Sequence, residues 1–154
     1  MSNEEKSGAK VHELIAFKIG EQDFCIDIKS VREIRSFTAA TPLPHAPAFV
    51  TGVINLRGTV LPIVDLADRL GFQPTQPHAR SAIIVVKVQE QLIGLLVDGV
   101  SSILTVSDDL LQPTPDVASE LSRSFVNAVM AVEGQMVSLL TAEAILPEKI
   151  DLAA

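Results

Sequence analysis

The segment Phe-Cys-Ile-Asp-Ile-Lys-Ser-Val at residues 24–31 is matched by Ile-Gly-Leu-Leu-Val-Asp-Gly-Val at residues 93–100. Both are apolar runs that end with a valine after a polar or glycine-containing pair, and they lie 69 residues apart. Three further matches follow in the same order: residues 41–44 with 112–115, 49–53 with 125–129, and 58–63 with 134–139. Recurrence of this kind indicates an internal structural repeat. We therefore divide the chain into two repeats, about 12–79 and about 80–147.

Ten short segments rich in Val, Ile and Leu run through the chain, bounded by Gly, Pro, Asp or Asn. They are Leu14–Ile19, Phe24–Ile28, Val31–Phe37, Val53–Leu56, Thr59–Val64, Ala82–Val88, Leu92–Val97, Val100–Val106, Val126–Val132 and Met136–Leu140. Short strands at such spacing are typical of all-β barrels and sandwiches. Since five strands suit a small closed barrel, the sequence predicts an all-β fold of two tandem five-stranded barrels. A few short helices are predicted, at residues 65–71, 115–124 and 142–146.

The composition excludes several classes of protein. With 154 residues, 47% of them apolar, the chain can form a compact domain with a substantial core, so it is not a disordered protein. A single cysteine excludes an internal disulfide framework. The net charge of −7 and the absence of Trp and Tyr argue against a nucleic-acid partner. Residues 1–10 are rich in charged and small residues and are predicted to form a flexible tail.

The apolar content also raises the question of a membrane. The longest apolar runs, residues 82–86 and 92–97, are far shorter than the roughly 20 residues that a spanning helix needs. Residues 1–10 are too polar for a signal peptide. We therefore expect a cytoplasmic protein with no direct membrane insertion. Its surplus of apolar residues predicts an exposed binding surface, which we place in the cleft between the barrels, ready for an amphipathic helix.

Candidate catalytic and metal-binding groups are few and scattered. The three histidines have no regular spacing, so no metal or cofactor site is predicted. Cys25 is predicted to be a buried strand residue, since no base or orienting group accompanies it. Asp65 directly follows a predicted strand, where helix capping is favoured over catalysis. The chain is therefore predicted not to be an enzyme, and the distant alternative is a small hydrolase that uses Asp65, Asp68 and His45.

The two repeats differ at polar positions, and such differences point to function because both copies must satisfy the same packing. Glu33 aligns with Ser102, and Arg57 aligns with Glu133. Arg57 lies in a turn between two predicted strands, and Glu33 lies on a strand whose alternation puts Val31 on the same face. We therefore predict an ion pair between Glu33 and Arg57 across the first barrel. The alternative is two separate solvated charges.

Five motifs complete the sequence pattern. They are Gly-Glu-Gln-Asp-Phe-Cys-Ile-Asp-Ile at 20–28, Val-Arg-Glu-Ile at 31–34, Pro-Ala-Phe-Val-Thr-Gly-Val-Ile-Asn-Leu-Arg-Gly at 47–58, Leu-Pro-Ile-Val-Asp-Leu at 61–66 and Gly-Leu-Leu-Val-Asp-Gly-Val at 94–100. Together they resemble the CheW family, the coupling proteins of bacterial chemotaxis. The resemblance implies a single CheW-like domain at residues 11–150, with two SH3-like barrels, no cofactor and no catalytic activity.

The resemblance also implies partners and sites. The partners are the cytoplasmic tips of methyl-accepting chemoreceptors and the regulatory domain of the histidine kinase CheA, which the adaptor joins in arrays at the inner face of the membrane. An adaptor of a different chemosensory system, for pilus motility or biofilm control, is the alternative. The receptor-binding positions implied are Val31, Glu33 and Arg57. The positions implied for contact with the kinase or receptor are Gly52, Ala82, Gly94 and Ile103.

Overall fold

The computed structural model describes residues 10–113 and 125–146. Ten strands form most of this part of the chain: β1 (Val11–Ile19), β2 (Gln22–Asp27), β3 (Val31–Ser36), β4 (Val50–Leu56), β5 (Thr59–Asp65), β6 (Ala82–Val88), β7 (Gln91–Val97), β8 (Gly99–Ser107), β9 (Val126–Val132) and β10 (Gln135–Leu140). Two one-turn helices, α1 (Leu66–Arg69) and α2 (Ala142–Ile145), follow β5 and β10. The all-β prediction is confirmed. Residues 1–9, the predicted helix at 115–124 and residues 147–150 lie outside the described residues.

Tight turns explain why neighbouring strands pair. Three hairpins close on two residues that both have positive φ: Arg57 and Gly58 (51° and 87°), Gln89 and Glu90 (50° and 68°), and Glu133 and Gly134 (50° and 79°). Two such residues form a type I′ turn, whose twist matches that of the flanking strands. The hairpins β4–β5, β6–β7 and β9–β10 therefore follow from local sequence.

The strands form two five-stranded sheets. Sheet 1 has the order β8-β1-β2-β10-β9, and sheet 2 has the order β3-β6-β7-β5-β4. Pairing is antiparallel except between β10 and β2 and between β5 and β7, which are parallel. Exchanging every strand of sheet 1 for its counterpart in the other repeat gives the order of sheet 2. The internal repeat is thus an approximate two-fold symmetry of the molecule.

The sheets do not follow the boundary between the repeats, which corrects the expectation of one barrel from residues 12–79 and another from 80–147. Sheet 1 takes β1 and β2 from the first repeat and β8, β9 and β10 from the second. The chain crosses between sheets at the 3-10 turn Ile28–Ser30 and again at Asp98. Both crossings lie within the two matched segments, residues 24–31 and 93–100. The sequence repeat identifies equivalent strands but not the copy with which each strand pairs.

The buried apolar residues form three clusters. One lies on the inner face of sheet 1 and includes Leu14, Met130 and Leu139. Another lies on the inner face of sheet 2 and includes Leu61 and Ile83. The largest lies between the sheets and takes residues from both, including Phe17, Phe24, Ile84, Val86 and Leu95. The space between the barrels is therefore a packed core, not the open apolar cleft expected from the sequence. The reason is that the central strands of each sheet are apolar on both faces.

Candidate functional site

An ion pair joins the two edges of sheet 2, where β3 and β4 are the outermost strands. Arg57 Nη2 donates a hydrogen bond to Glu33 Oε1 at 2.5 Å, which confirms the predicted pair. Glu33 lies on β3, and Arg57 lies in the turn that follows β4. The pair thus connects the two outermost strands of sheet 2 across the gap between them, here called the seam.

The turn holds Arg57 in position. Its φ of 51° is left-handed, a conformation that costs most residues energy but is required by the type I′ turn. Asn55 Oδ1 accepts a hydrogen bond from the Gly58 backbone N–H at 2.8 Å, which braces the turn from inside. The side chain of Arg57 is 71% exposed, so it is free to meet a partner while its tip contacts Glu33.

Electrostatics favour the ionised form of Glu33. The hydrogen bond from Arg57 lowers the pKa of the Glu33 carboxyl below its ordinary value of 4.5, and the positive charges of Arg57 and Arg35 act in the same direction. Arg35 Nη1 lies 3.6 Å from Glu33 Oε2. One carboxylate therefore lies beside two guanidinium groups, and these three side chains together carry a net positive charge.

We expect Arg57→Asn to raise the pKa of Glu33 toward its ordinary value, because asparagine tolerates the left-handed turn but removes the charge. A carboxyl group whose pKa is lower in the folded than in the unfolded protein stabilises the fold at pH values above its ordinary pKa. That contribution is lost as the pH falls through the lowered pKa. The stabilities of wild type and variant should thus differ slightly at neutral pH and converge in acid. Carboxyl titration by NMR and urea unfolding at several pH values measure both effects.

Glu133→Asn is the matched control for this prediction. Glu133 occupies the equivalent turn of sheet 1 with a φ of 50°, and in the described part of the chain it makes no ion pair. This control should leave the titration of Glu33 unchanged. An equal shift in both variants would show that the turn, rather than the ion pair, sets the pKa of Glu33.

Sheet 1 lacks the counterpart of this ion pair. Ser102 on β8 stands where Glu33 stands on β3, and Glu133 stands where Arg57 does. The surface of the molecule is therefore less symmetric than its backbone. The aligned repeats show this difference in sequence. In the structure the two pairs of residues lie at equivalent places, between the outermost strands of each sheet.

Val31 does not share a face with Glu33, contrary to the alternation expected from the sequence. A β-bulge lies between them, so that Val31 is paired with Val86 and Glu33 with Val85. Residues directly opposite each other in an antiparallel ladder point to the same side of the sheet. Val86 belongs to the central core and Val85 to the core of sheet 2, so Val31 and Glu33 point to opposite sides.

Val31 instead belongs to a set of four apolar residues, here called the edge strip, that lie on the outer strands of the two sheets and on the faces turned toward the central core. The strip consists of Val31 and Ile34 on β3 and Val100 and Ile103 on β8. Their ladder partners Val86, Ile84, Phe17 and Ile15 all belong to the central core. Sequence reasoning singled out Val31 and Ile103 but missed the other two. The repeat offset of 69 residues relates Val31 to Val100 and Ile34 to Ile103, and it could have found them.

The edge strip is partly open to solvent. Ile34 is 44% exposed and Ile103 is 60% exposed, whereas most large apolar residues of the molecule are buried. Each strand of the strip is the outer strand of its sheet, so the strip spans both sheets. It is one part of the apolar surface that the central core does not bury.

The other predicted contact positions are not on the surface. Ala82 is 8% exposed at the start of β6, and Gly52 and Gly94 are buried within strands. A Cβ atom on Gly94 would lie 2.7 Å from atoms of both Ile63 and Ile83 in the core of sheet 2. These three residues pack within this chain, and of the four positions only Ile103 has an exposed side chain.

Asp65 caps helix α1, as predicted. Its carboxylate is buried and accepts hydrogen bonds from the Thr75 hydroxyl at 2.7 Å and the Thr75 backbone N–H at 2.8 Å. It also accepts from the Asp68 backbone N–H at 3.4 Å. Within the described residues His45 makes no hydrogen bond or ion pair with either carboxylate. The arrangement postulated for a hydrolase is therefore not assembled.

Other chemical groups are equally occupied. Burial raises the pKa of the Cys25 thiol to about 12, so Cys25 is protonated and unreactive at neutral pH. His78 Nδ1 accepts a hydrogen bond from the Arg80 backbone N–H, and Nε2 faces Asp98 Oδ1 at 3.8 Å. Residues 10–113 and 125–146 contain no group of three or more His, Cys, Asp or Glu able to hold a metal. None of their helices is long and apolar enough to cross a membrane.

Comparison with known proteins agrees with the fold. A family profile described as "CheW-like domain" matches residues 13–149. The "Chemotaxis protein CheW" of Rhizobium meliloti is 56% identical over 137 residues, covering 89% of this chain and 88% of that protein. The "Probable chemotaxis protein CheW" of Rhizobium etli is 54% identical over 142 residues, covering 92% of each.

A solved structure extends the agreement to three dimensions. The scaffolding protein TtCheW from Thermoanaerobacter tengcongensis matches with a TM-score of 0.82 and 25% sequence identity, over 94% of this chain and 98% of that one. Two five-stranded sheets of this kind agree with the expected pair of SH3-like barrels. The chain belongs to the CheW family of chemotaxis adaptor proteins.

Proposed function

We propose that this protein is a non-catalytic adaptor that couples transmembrane chemoreceptors to the histidine kinase CheA in arrays at the cytoplasmic face of the membrane. The observation that carries the proposal is the edge strip, an exposed apolar surface shared by both sheets. It occurs in a molecule whose one thiol, that of Cys25, is buried and whose buried carboxylate, that of Asp65, caps a helix. Such a molecule acts by holding partners together, through geometry and effective concentration.

The edge strip suits the helical tip of a receptor. Its four side chains are branched aliphatic residues, and two of them, Ile34 and Ile103, project well into solvent. An amphipathic helix binds such a surface by burying its own apolar face against it. Burial of one exposed isoleucine contributes roughly 1 to 2 kcal/mol. We assign receptor binding to the edge strip, with Val31 as its least exposed member.

The Glu33–Arg57 pair is a separate feature at the seam of sheet 2. Because Val31 points to the other side of the sheet, the pair and the edge strip offer different surfaces to partners. We propose that the pair holds the seam in the shape that a second partner, the regulatory domain of the kinase, recognises. The exposed guanidinium of Arg57 can donate directional hydrogen bonds to the partner, and the charges of the pair orient the partner on the surface.

We expect Ile103→Asp to weaken binding of a receptor cytoplasmic fragment at least about tenfold, since an unpaired charge in an apolar contact is costly. Met136→Asp is the matched control. Both side chains are 60% exposed and both lie in sheet 1, but Met136 lies on β10, outside the edge strip, where it pairs with the exposed Ala131. Isothermal titration with the receptor fragment measures both affinities.

A second measurement tests coupling itself. The wild-type protein should form a ternary complex with the receptor fragment and the kinase and alter the kinase's autophosphorylation rate. Ile103→Asp should lose this effect while still binding the kinase alone. Failure of the wild-type protein to form the ternary complex would refute the proposed function, and equal receptor affinity of both variants would refute the assigned surface.

A further inference from the structure

Arg69 lies between two phenylalanine rings. Its guanidinium carbon is 4.7 Å from the centroid of the Phe49 ring and 4.8 Å from that of Phe125. Both distances are within the range of a cation–π interaction, and a planar guanidinium can stack against one ring on each of its two faces. Arg69 Nε also donates a hydrogen bond to the Ile145 carbonyl oxygen at 2.8 Å.

These contacts connect both sheets. Arg69 is the last residue of α1, which follows a strand of sheet 2, and Phe49 immediately precedes β4 of the same sheet. Phe125 immediately precedes β9 of sheet 1, and Ile145 ends α2, which follows β10 of that sheet. One side chain therefore makes two contacts to sheet 1 and one to sheet 2.

The two repeats differ at this position. Phe49 and Phe125 are equivalent residues, 76 positions apart, and so are Arg69 and Ile145. Arg69 therefore lies between two equivalent rings, whereas its own counterpart, Ile145, is fully buried in the central core.

The contacts of Arg69 have a directional character that the central core lacks. Apolar packing holds the sheets together, but it depends mainly on the area removed from water and specifies orientation weakly. A guanidinium fixed between two rings and a carbonyl specifies direction and distance at once. Arg69 thus adds directional contacts to the apolar packing between the two sheets.

We propose that Arg69 is a positioning residue that fixes the orientation of the two sheets and thereby the separation of β3 and β8 along the edge strip. The first half of the proposal concerns this chain alone, and the second half rests on the proposed function. The strip is divided between the two sheets, with Ile34 on sheet 2 and Ile103 on sheet 1, so their spacing depends on that orientation.

The test measures a distance across the molecule. Thr59 and Gln135 are exposed, equivalent residues on sheets 2 and 1, and spin labels on cysteines introduced there report their separation. Cys25 stays unlabelled because its thiol is buried. We expect Arg69→Leu to broaden the distance distribution, Arg69→Lys to broaden it less, and the surface control Arg80→Leu to leave it unchanged. The lysine variant answers the question if the leucine variant fails to fold.

Receptor binding provides the second readout. We expect Arg69→Leu to weaken affinity for the receptor fragment by about twofold to thirtyfold, the range of couplings between separated sites. Distance distributions unchanged in both Arg69 variants overturn the proposal whatever the partner is. Suppose that Arg69→Leu broadens the distance distribution but binds the receptor fragment with full affinity, while Ile103→Asp loses affinity. That result overturns the link between Arg69 and the edge strip. If Ile103→Asp binds normally, the assigned receptor surface fails and the distances alone still decide the role of Arg69.

Discussion

Cut between Gln76 and Pro77, the chain should yield two fragments that are each unfolded alone and that fold when mixed. Sheet 1 needs β1 and β2 from the first fragment and β8 to β10 from the second, and sheet 2 is divided in the complementary way. Neither fragment contains a complete sheet. The first retains only the hairpins β1–β2 and β4–β5, and isolated hairpins are marginally stable in water.

Circular dichroism and two-dimensional NMR of the fragments test this expectation. Mixing should restore the spectrum of the intact protein, with a melting temperature that rises with concentration because folding has become an association. Two tandem barrels give the opposite result, since each fragment would then hold five strands of its own. A dispersed NMR spectrum from either fragment alone would contradict the interleaved topology.

The positions of the strands could be predicted from sequence because the signals are local. Short apolar runs end at turn residues, and pairs such as Arg57 and Gly58 adopt the left-handed conformations that close a hairpin. The pairing between the repeats could not be predicted. Equivalent strands carry the same pattern, so β2 has no local preference between the strands of its own repeat and β10 of the other.

The central core was present in the sequence but was not recognised. β6 and β7 are almost continuously apolar, and every residue of β6 except Lys87 is buried. Continuous apolar runs indicate strands that are covered on both faces. Both runs are predicted as strands from the sequence, but their continuous apolar character is not used there to predict that each is covered on both faces.

The candidate site was predictable in part. Comparing the repeats identified Glu33 and Arg57, because a charge that is lost or reversed in the other copy does not serve the packing that both copies share. The face occupied by Val31 was not predictable, because a β-bulge inverts the alternation and leaves no sequence signal here. Arg69 was missed although its partners Phe49 and Phe125 belong to matched segments.

Gly52→Ala should produce the largest loss of stability of any single substitution considered for this protein. A Cβ atom at this position would lie 2.3 Å from the Thr41 carbonyl oxygen and 2.6 Å from its carbon, closer than any van der Waals contact allows. Thr41 cannot move away freely. Its carbonyl accepts from the Val53 N–H at 2.9 Å, and its own N–H donates to the Val53 carbonyl at 2.8 Å.

The methyl group must therefore either break both hydrogen bonds or displace β4. We expect the free energy of unfolding to fall by about 3 kcal/mol, at the upper end of overpacking effects. Urea unfolding followed by circular dichroism measures the change. An effect below about 1 kcal/mol would show that the Thr41–Val53 bridge yields at little cost.

The second repeat supplies the control for this substitution. Ala128 occupies the position equivalent to Gly52, beside the equivalent bridge between Gln112 and Val129. Ala128→Gly should cost about 1 to 2 kcal/mol, because it adds the loss of one buried methyl group to the backbone penalty for glycine within a strand. Because Gly52 is buried, its variant should also bind the receptor fragment normally once allowance is made for the unfolded fraction. A folded Gly52→Ala protein with specifically weakened binding would instead place Gly52 at a partner contact.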